Sequence, residues 1–376
     1  MRRWYNHAIL PLGTVSQSQE YPVSTDSPLL KELNPEQRRA VCQTAGPVLV
    51  LAGAGSGKTR VITRRIAYLL ARGLAKPGEI AAVTFTNKAA EEMRERVGAL
   101  VGKERAAEIV ISTFHSFCLR VLRAHSAQMG YRRDFTISTE GDTRTLMRRV
   151  LQDLDGSTKQ SFDADLLLGA IGMLKNTTQR ADDAAPSVAD SDKNGQYRVW
   201  FGEIYDRYQS ALRAANSVDF DDLLNLTLNL WRDHPGVLRQ YQDRFRYIMV
   251  DEFQDTNRVQ LELVKALGSR HRNVCVVGDD DQSIYAWRGA EPRNILDFEA
   301  EFPGATIVAL EQNYRSTETI LNAANAVIAH NTARHPKRLW SALGKGRPID
   351  WIVTGDDEHE AQTLVQWLEM VRSKTG

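Results

Sequence analysis

The sequence predicts an α/β protein: a parallel sheet covered by helices on both faces, interrupted by an α-helical insertion and followed by the start of a second sheet domain. Three observations carry this expectation. Val48-Leu49-Val50-Leu51 is a short apolar run that ends in glycines and leads into Arg60 to Ala71, where Val61, Ile62, Ile66, Leu69 and Leu70 fall at helical spacing. Further apolar runs of buried-strand type, at Ile80–Val83, Ile109–Ile111, Tyr247–Val250, Val274–Val277 and Thr306–Leu310, alternate with helical patterns. Between Ser112 and Arg244 the strand signals nearly vanish, and long helical patterns take over.

Taken in order, residues 1–29 read as a loose, flexible tail, and 30–115 as the first part of the sheet domain, with a charged helix from Lys88 to Val97. Residues 116–214 form the helical insertion, which contains an exposed loop at Ala181–Gln196, rich in Asp, Ala, Ser, Asn and Gly, and a helix at Phe201–Ala214. The sheet domain resumes at 215–293, opening with a helix at Leu223–Leu230. Residues 294–376 are predicted to begin the second domain, with a helix at Thr317–Ala329, a strand at Ile349–Val353 and one more helix.

Composition narrows the classes. A chain of 376 residues with 42% hydrophobic content can bury more than one core. Cys42, Cys118 and Cys275 lie far apart with no C-x-x-C pairing, so no disulfide framework or zinc cage is expected, and a reducing cytoplasm fits best. The basic and apolar opening, Met1 to Leu12, is too short and too broken by Pro11 for an export signal. No stretch approaches the ~20 apolar residues of a membrane span, so a soluble protein without a membrane partner is expected. A net charge of +1 gives no global attraction to nucleic acid; any such contact has to come from local patches. Between His115 and Val150, Arg120, Arg123, Arg132, Arg133, Arg144, Arg148 and Arg149 outnumber the acids, which is either such a patch or a solvated helix face.

The chemistry begins at Ala52-Gly53-Ala54-Gly55-Ser56-Gly57-Lys58-Thr59, a glycine-rich turn between strand and helix. Backbone N–H groups there can surround phosphate oxygens, Lys58 adds a point charge for the terminal phosphates, and the Thr59 hydroxyl can reach Mg²⁺. Asp251-Glu252 at the end of an apolar strand adds two carboxylates, one for the metal and one to polarise an attacking water. Adjacent carboxylates are usually solvated; the glycine loop upstream reverses that weighting.

With these motifs the chain resembles the Rep/UvrD/PcrA group of superfamily 1 DNA helicases, its later motifs resembling Rep most. Leu33-Asn34-Pro35-Glu36-Gln37 resembles the Q motif, Thr84 to Ala90 motif Ia, Thr113 to Phe117 motif Ib, and Asp251 to Asn257 motif II. Asp219-Phe220-Asp221-Asp222-Leu223-Leu224 matches a further family motif. Val277 to Ala290 resembles motif III, and Leu310 to Thr317 motif IV. The fold implied is a RecA-like P-loop NTPase, and the activity implied is ATP-driven 3′→5′ translocation on single-stranded DNA with duplex unwinding.

The resemblance implies roles. Gln37 reads the adenine edge, Ala52 to Arg60 cradle the phosphates, and Thr59 and Asp251 hold Mg²⁺. Glu252 acts as general base, Gln282 senses the γ-phosphate, Tyr314 stacks on adenine and Arg315 reaches the γ-phosphate from the second domain. Phe85, Thr86, Asn87, Thr113, His115, Tyr285 and Trp287 line the DNA track, the aromatic faces stacking on bases whatever their identity. His115 has no second ligand at metal spacing and is assigned to that track. Cofactors are then ATP and Mg²⁺; partners are single-stranded DNA, duplex junctions, and replication or repair proteins. Motifs V and VI do not occur in this sequence, so the alternative expectation is a nucleotide-dependent DNA-binding fragment without productive unwinding. A P-loop ATPase acting on RNA or protein is the third reading.

Overall fold

The computed structural model describes residues 27–154, 162–177 and 196–375. The expected tail therefore lies outside the described residues up to position 26, as does the expected loop at Ala181–Gln196 apart from Gln196, which opens a helix.

Six strands form one all-parallel sheet: β1 (Val48–Ala52), β2 (Ile80–Thr84), β3 (Val110–Thr113), β6 (Tyr247–Val250), β7 (Val274–Gly278) and β8 (Thr306–Leu310). Their spatial order is β3-β2-β6-β7-β1-β8. Two short parallel pairs stand outside it, β4 (Thr136–Ile137) with β5 (Ser217–Val218), and β9 (Gln312–Asn313) with β10 (Trp340–Ser341).

Alternate residues of each strand enter opposite cores, as the two-residue period of a strand requires. Leu49, Leu51, Ala81, Val83, Ile248 and Val250 face one core; Val48, Val50, Ile80, Ala82 and Met249 face the other. Helices Phe114–Ala124, Asp222–Asp233 and Arg258–Gly268 cover the first face, and Pro35–Cys42, Lys58–Ala71 and Asn87–Val101 the second. Burial on both faces explains why the strands read as unbroken apolar runs rather than alternating ones.

Helices Glu140–Gln152, Ala164–Asn176 and Gln196–Ala214 enclose a separate core around Met147, Leu167, Ile171, Phe201, Ile204 and Tyr208. Phe117, Val121 and Leu122, in contrast, pack into the sheet's own core, although they fall within the stretch expected as insertion.

Two differences from expectation follow from pairing. The sheet extends past Asn294, because β8 pairs in parallel with β1 from Val48↔Thr306 to Ala52↔Leu310. Ile349–Val353 forms no strand: it has no partner ladder among the described residues, and Trp351 is 87% exposed. An apolar run becomes a strand only where neighbouring backbone completes its hydrogen bonds.

No helix among the described residues is long and apolar enough to cross a membrane. Because every sheet strand runs the same way, the segments that follow β1, β2, β3, β6, β7 and β8 all emerge at one edge, the usual place for a ligand in an open α/β sheet.

Candidate nucleotide site and nucleic-acid groove

The glycine loop joins β1 to the helix Lys58–Ala71. Gly55 (φ +73°) and Gly57 (φ +92°) occupy left-handed backbone, and a Cβ at Gly57 would lie 2.8 Å from Gln37 Nε2. Only glycine satisfies both demands. Gly57 caps the helix without a side-chain hydrogen bond, so the helix's first N–H groups and its positive dipole end have no built-in acceptor. Ser56 tightens the turn, its hydroxyl donating to Gly53 O at 2.7 Å. Lys58 and Thr59 are half-buried on the first helical turn, and Arg60 is exposed.

The Gln37 side chain is fully buried, accepting from Asn34 N at 3.2 Å and donating to Ser56 O at 2.8 Å, and so supports the loop from beneath.

Asp251 and Glu252 follow β6. Lys58 Nζ lies 2.5 Å from Glu252 Oε2, joining the loop to the carboxylates. Glu252 has φ +50° and ψ +49°, a left-handed conformation uncommon for a residue with a side chain and often found at functional sites. Burial, and then the Glu252 charge, push Asp251 and Asp255 up to about 6. Asp255 Oδ1 is buried with no hydrogen-bond partner. Lys58 contacts Glu252 and, at longer range, favours the ionised forms of Asp251 and Asp255; the one group of three acids within metal-ligand reach of one another among the described residues is Asp279, Asp280 and Asp281.

Gln254 lies within the Asp251–Asn257 segment, where the sequence alone gives it no role; in space it is the connector. Its Nε2 donates to Glu252 Oε2 (3.0 Å) and Asp255 Oδ2 (3.2 Å), while its Oε1 accepts from Asp279 N at 3.0 Å. Asp279 in turn accepts from Gln282 Nε2. Gln282 is therefore linked to Glu252 through Asp279, by its carboxylate and its backbone N–H, and the Gln254 side chain.

The segment after β8 closes over the loop from the other side. Asn313 Nδ2 donates to Ala54 O at 2.6 Å and Tyr314 N to Gly55 O at 2.9 Å, while Asn313 Oδ1 accepts from Arg315 N and Ser316 N. Tyr314 is 44% exposed, its hydroxyl accepting from Asn34 Nδ2 at 3.0 Å. Arg315 is exposed beside Gly55, where an added Cβ would lie 2.7 Å from its own.

A cavity of about 1010 Å³ opens between the sheet edge and the insertion, lined among others by Phe85, Thr86, His115, Phe220, Asn257 and Trp287. Phe85 and Tyr285 rings lie 4.9 Å apart, Tyr285 and Trp287 6.3 Å apart, and Trp287 is 67% exposed. His115 stacks on Phe220 at 3.9 Å, and burial pushes its imidazole down to about 4, so it is neutral at pH 7 and offers a flat face rather than a charge. Thr86 and Thr113 cap helices through their hydroxyls, and Asn87 is exposed on the first turn after Thr86. Phe220 belonged to a segment with no assigned role; what hid it is that its partner, His115, is 105 residues away (220 − 115).

Beneath the groove lies a buried ionic junction. Lys175 Nζ meets Asp219 Oδ2 at 2.5 Å and Asp222 Oδ1 at 2.7 Å, and Tyr208 donates to Asp219 at 3.0 Å. Burial alone would lower the Lys175 ammonium, but Asp222 and Asp219 hold its proton on. Burial, then Asp219, push Asp221 up to about 6; its Oδ1 accepts from Asn176 Nδ2 at 3.2 Å. Asn176 also accepts from Asn257, the cap of the helix that follows the Asp251–Asn257 segment. The three acids Asp279, Asp280 and Asp281 are closed off in the same manner, with Lys337 Nζ within 2.9 Å of each.

The chain matches the UvrD/REP helicase N-terminal domain over residues 33–303 and the UvrD-like helicase C-terminal domain over 308–375. It is 47% identical over 338 residues to the ATP-dependent DNA helicase PcrA of Staphylococcus aureus (strain Mu50 / ATCC 700699), a match covering 90% of this chain and 45% of that protein. It is 46% identical over 344 residues to the PcrA of Leuconostoc citreum, covering 92% and 45%. The chain thus spans about half the length of the curated relatives it matches, and these relatives do not single out Rep. On these matches, the chain belongs to the UvrD/REP helicase family.

Proposed function

We propose that the chain binds ATP with Mg²⁺ at the glycine loop and carries the nucleotide-driven part of a DNA helicase that moves 3′→5′ along single-stranded DNA. The observation that supports this most is convergence on one sheet edge. The glycine loop, the Lys58–Glu252 pair and the aromatic groove all stand there, with Gln254 bonded to Glu252, Asp255 and Asp279 between them.

In this reading the uncapped helix start and Lys58 hold the phosphates, and Thr59 and Asp251 hold Mg²⁺. The ion would supply charge neutralisation for the phosphate oxygens. Glu252 takes the proton of the attacking water once Lys58 turns to phosphate. Gln282 and Arg315 respond to the terminal phosphate from two sides, and Tyr314 offers its exposed ring to the base. Gln37 acts one step back, setting the loop's shape. Phe85, Tyr285, Trp287 and the His115–Phe220 stack offer faces for successive bases of single-stranded DNA, including at duplex junctions. Replication or repair proteins complete the set of partners.

We also propose the division of the chain into a motor domain (30–115 and 215–293, joined by β8), a helical insertion (116–214) and the opening of a second motor domain towards 376.

The test is steady-state ATP hydrolysis with and without single-stranded DNA, for wild type and Glu252→Gln. DNA-stimulated hydrolysis that falls about a hundredfold or more in the variant supports the reading. Nucleotide binding without turnover would favour a nucleotide-dependent DNA-binding fragment, and stimulation by RNA in preference to DNA would sink the substrate assignment.

A further inference from the structure

Residues 334–341 touch the candidate nucleotide site at two points. At one, Leu339 sits on the glycine loop: a Cβ at Gly53 would lie 2.6 Å from Leu339 Cδ2. Asn325, on the helix Glu318–Ile328, fixes Leu339 there, donating to Leu339 O at 2.8 Å and accepting from Leu339 N at 3.2 Å. At the other, Arg334, His335 and Lys337 meet the three aspartates that follow β7. Arg334 donates to Asp281 through Nε at 2.8 Å and Nη2 at 2.6 Å, and His335 N donates to Asp280 Oδ2 at 2.7 Å. Lys337 Nζ reaches all three: Asp279 Oδ1 at 2.9 Å, Asp280 Oδ1 at 2.5 Å and Asp281 Oδ2 at 2.7 Å.

The Lys337 side chain is 2% exposed, and burial alone would lower its ammonium; hydrogen bonds with Asp280, Asp281 and Asp279 hold its proton on. The three aspartates do not depend on it equally. Asp281 keeps Arg334 and Asp280 keeps the His335 N–H, whereas no other cation lies within 4.0 Å of Asp279 among the described residues. The two oxygens of Asp279 have different tasks. Oδ1 faces Lys337 and accepts from Asp281 N at 3.2 Å; Oδ2 accepts from Gln282 Nε2. An amide nitrogen has two N–H donors, so spending one on a fixed carboxylate sets the direction of the other. Without Lys337 that carboxylate would be buried with no cation and free to turn, and the Gln282 amide would turn with it.

We propose that Lys337 is a positioning residue for nucleotide hydrolysis: by holding the Asp279 carboxylate it orients the Gln282 amide, and so it governs the rate of turnover while leaving nucleotide binding alone. The inference rests on the reading above, in which Gln282 responds to the terminal phosphate. Lys337 itself touches neither the glycine loop nor Glu252; its action passes through one carboxylate. The Leu339 contact defines the competing role, a brace for the glycine loop, which would act on nucleotide affinity instead.

The test measures ATP hydrolysis at saturating oligo-dT, and affinity for a fluorescent ATP analogue, on the full chain carrying Lys337→Met, Lys337→Arg, Gln282→Ala, and Lys337→Met with Gln282→Ala. Lys337→Met should lower kcat about tenfold or more and leave analogue affinity within about threefold of wild type. Lys337→Arg, which keeps the cation, should restore most of the rate. The double variant should be no slower than Gln282→Ala alone, because two residues acting through one contact do not add. Should Lys337→Met fail to fold, Asp279→Asn carries the same expectation. A wild-type rate in Lys337→Met, a double variant whose losses multiply, or analogue affinity that falls in step with kcat overturns the proposal, the last result making Lys337 a brace for the loop. Absence of hydrolysis in the wild-type chain removes the reading of Gln282 and the proposal with it, a result distinct from a wild type and Lys337→Met that turn over equally.

Discussion

Lys58 and Lys175 are both lysines bonded to carboxylates at 2.5 Å, yet they sit in opposite settings. The Lys58 side chain meets one carboxylate, Glu252, which is itself 36% exposed, and the pair stands beside a glycine loop with unclaimed N–H groups. Lys175 is 2% exposed, neutralised by two aspartates and enclosed by the insertion. The Lys58–Glu252 pair keeps an opening to solvent through Glu252, 36% exposed, and can be exchanged for a ligand. The triad around Lys175 has less of that freedom: removing one member strands the others largely away from water. The same pairing is thus open to exchange in one place and locked in the other, and burial decides which.

The largest effect should come from breaking the enclosed triad. Lys175→Met is expected to lower the unfolding free energy in urea by about 3–5 kcal/mol, because Asp219 and Asp222 lose their common cation. Next is Asp221, whose carboxyl lies at about 6 in the fold against an ordinary value of 3.8. Its contribution to stability is full below pH 3.8 and is lost as pH rises through about 6. Asp221→Asn should therefore raise the melting temperature at pH 8, by the equivalent of up to about 3 kcal/mol, and leave it unchanged near pH 3.5. Equal effects at both pH values would show that the carboxylate is not held neutral by its surroundings.

Trp287→Ala should cost about 1–3 kcal/mol of single-stranded DNA affinity, measured by titration of oligo-dT, without moving the melting temperature, since the ring is 67% exposed. The smallest effect belongs to the exposed Arg96–Glu92 pair, where Glu92→Gln should leave the urea midpoint unchanged.

Much of the sheet was legible because its strands are buried on both faces and flanked by glycine, proline or helix starts. The glycine loop was legible for the same reason its glycines are needed: Gly55 and Gly57 combine left-handed backbone with neighbours too close for a Cβ. Legibility failed where meaning depends on a distant partner. The bond from Gln37 to Ser56 O, which supports the glycine loop, has no signature in the motif that contains Gln37. Phe220, Lys175 and Asn176 carry no local signature, since each is defined by a side chain far away in the chain, and Gln254 gains its linking role only from the Asp279 backbone N–H, 25 residues on. Ile349–Val353 has the apolar content of a strand, but a strand also needs a neighbour.

The most direct test pairs the two lysines: nucleotide binding, by titration with a fluorescent ATP analogue, and urea unfolding, both on Lys58→Ala and Lys175→Met. A double dissociation is expected. Lys58→Ala should lose nucleotide affinity and keep its unfolding midpoint, whereas Lys175→Met should lose stability and, in buffer at temperatures where it remains folded, still bind nucleotide. Nucleotide binding that survives Lys58→Ala, or a stability loss as large there as in Lys175→Met, would contradict it.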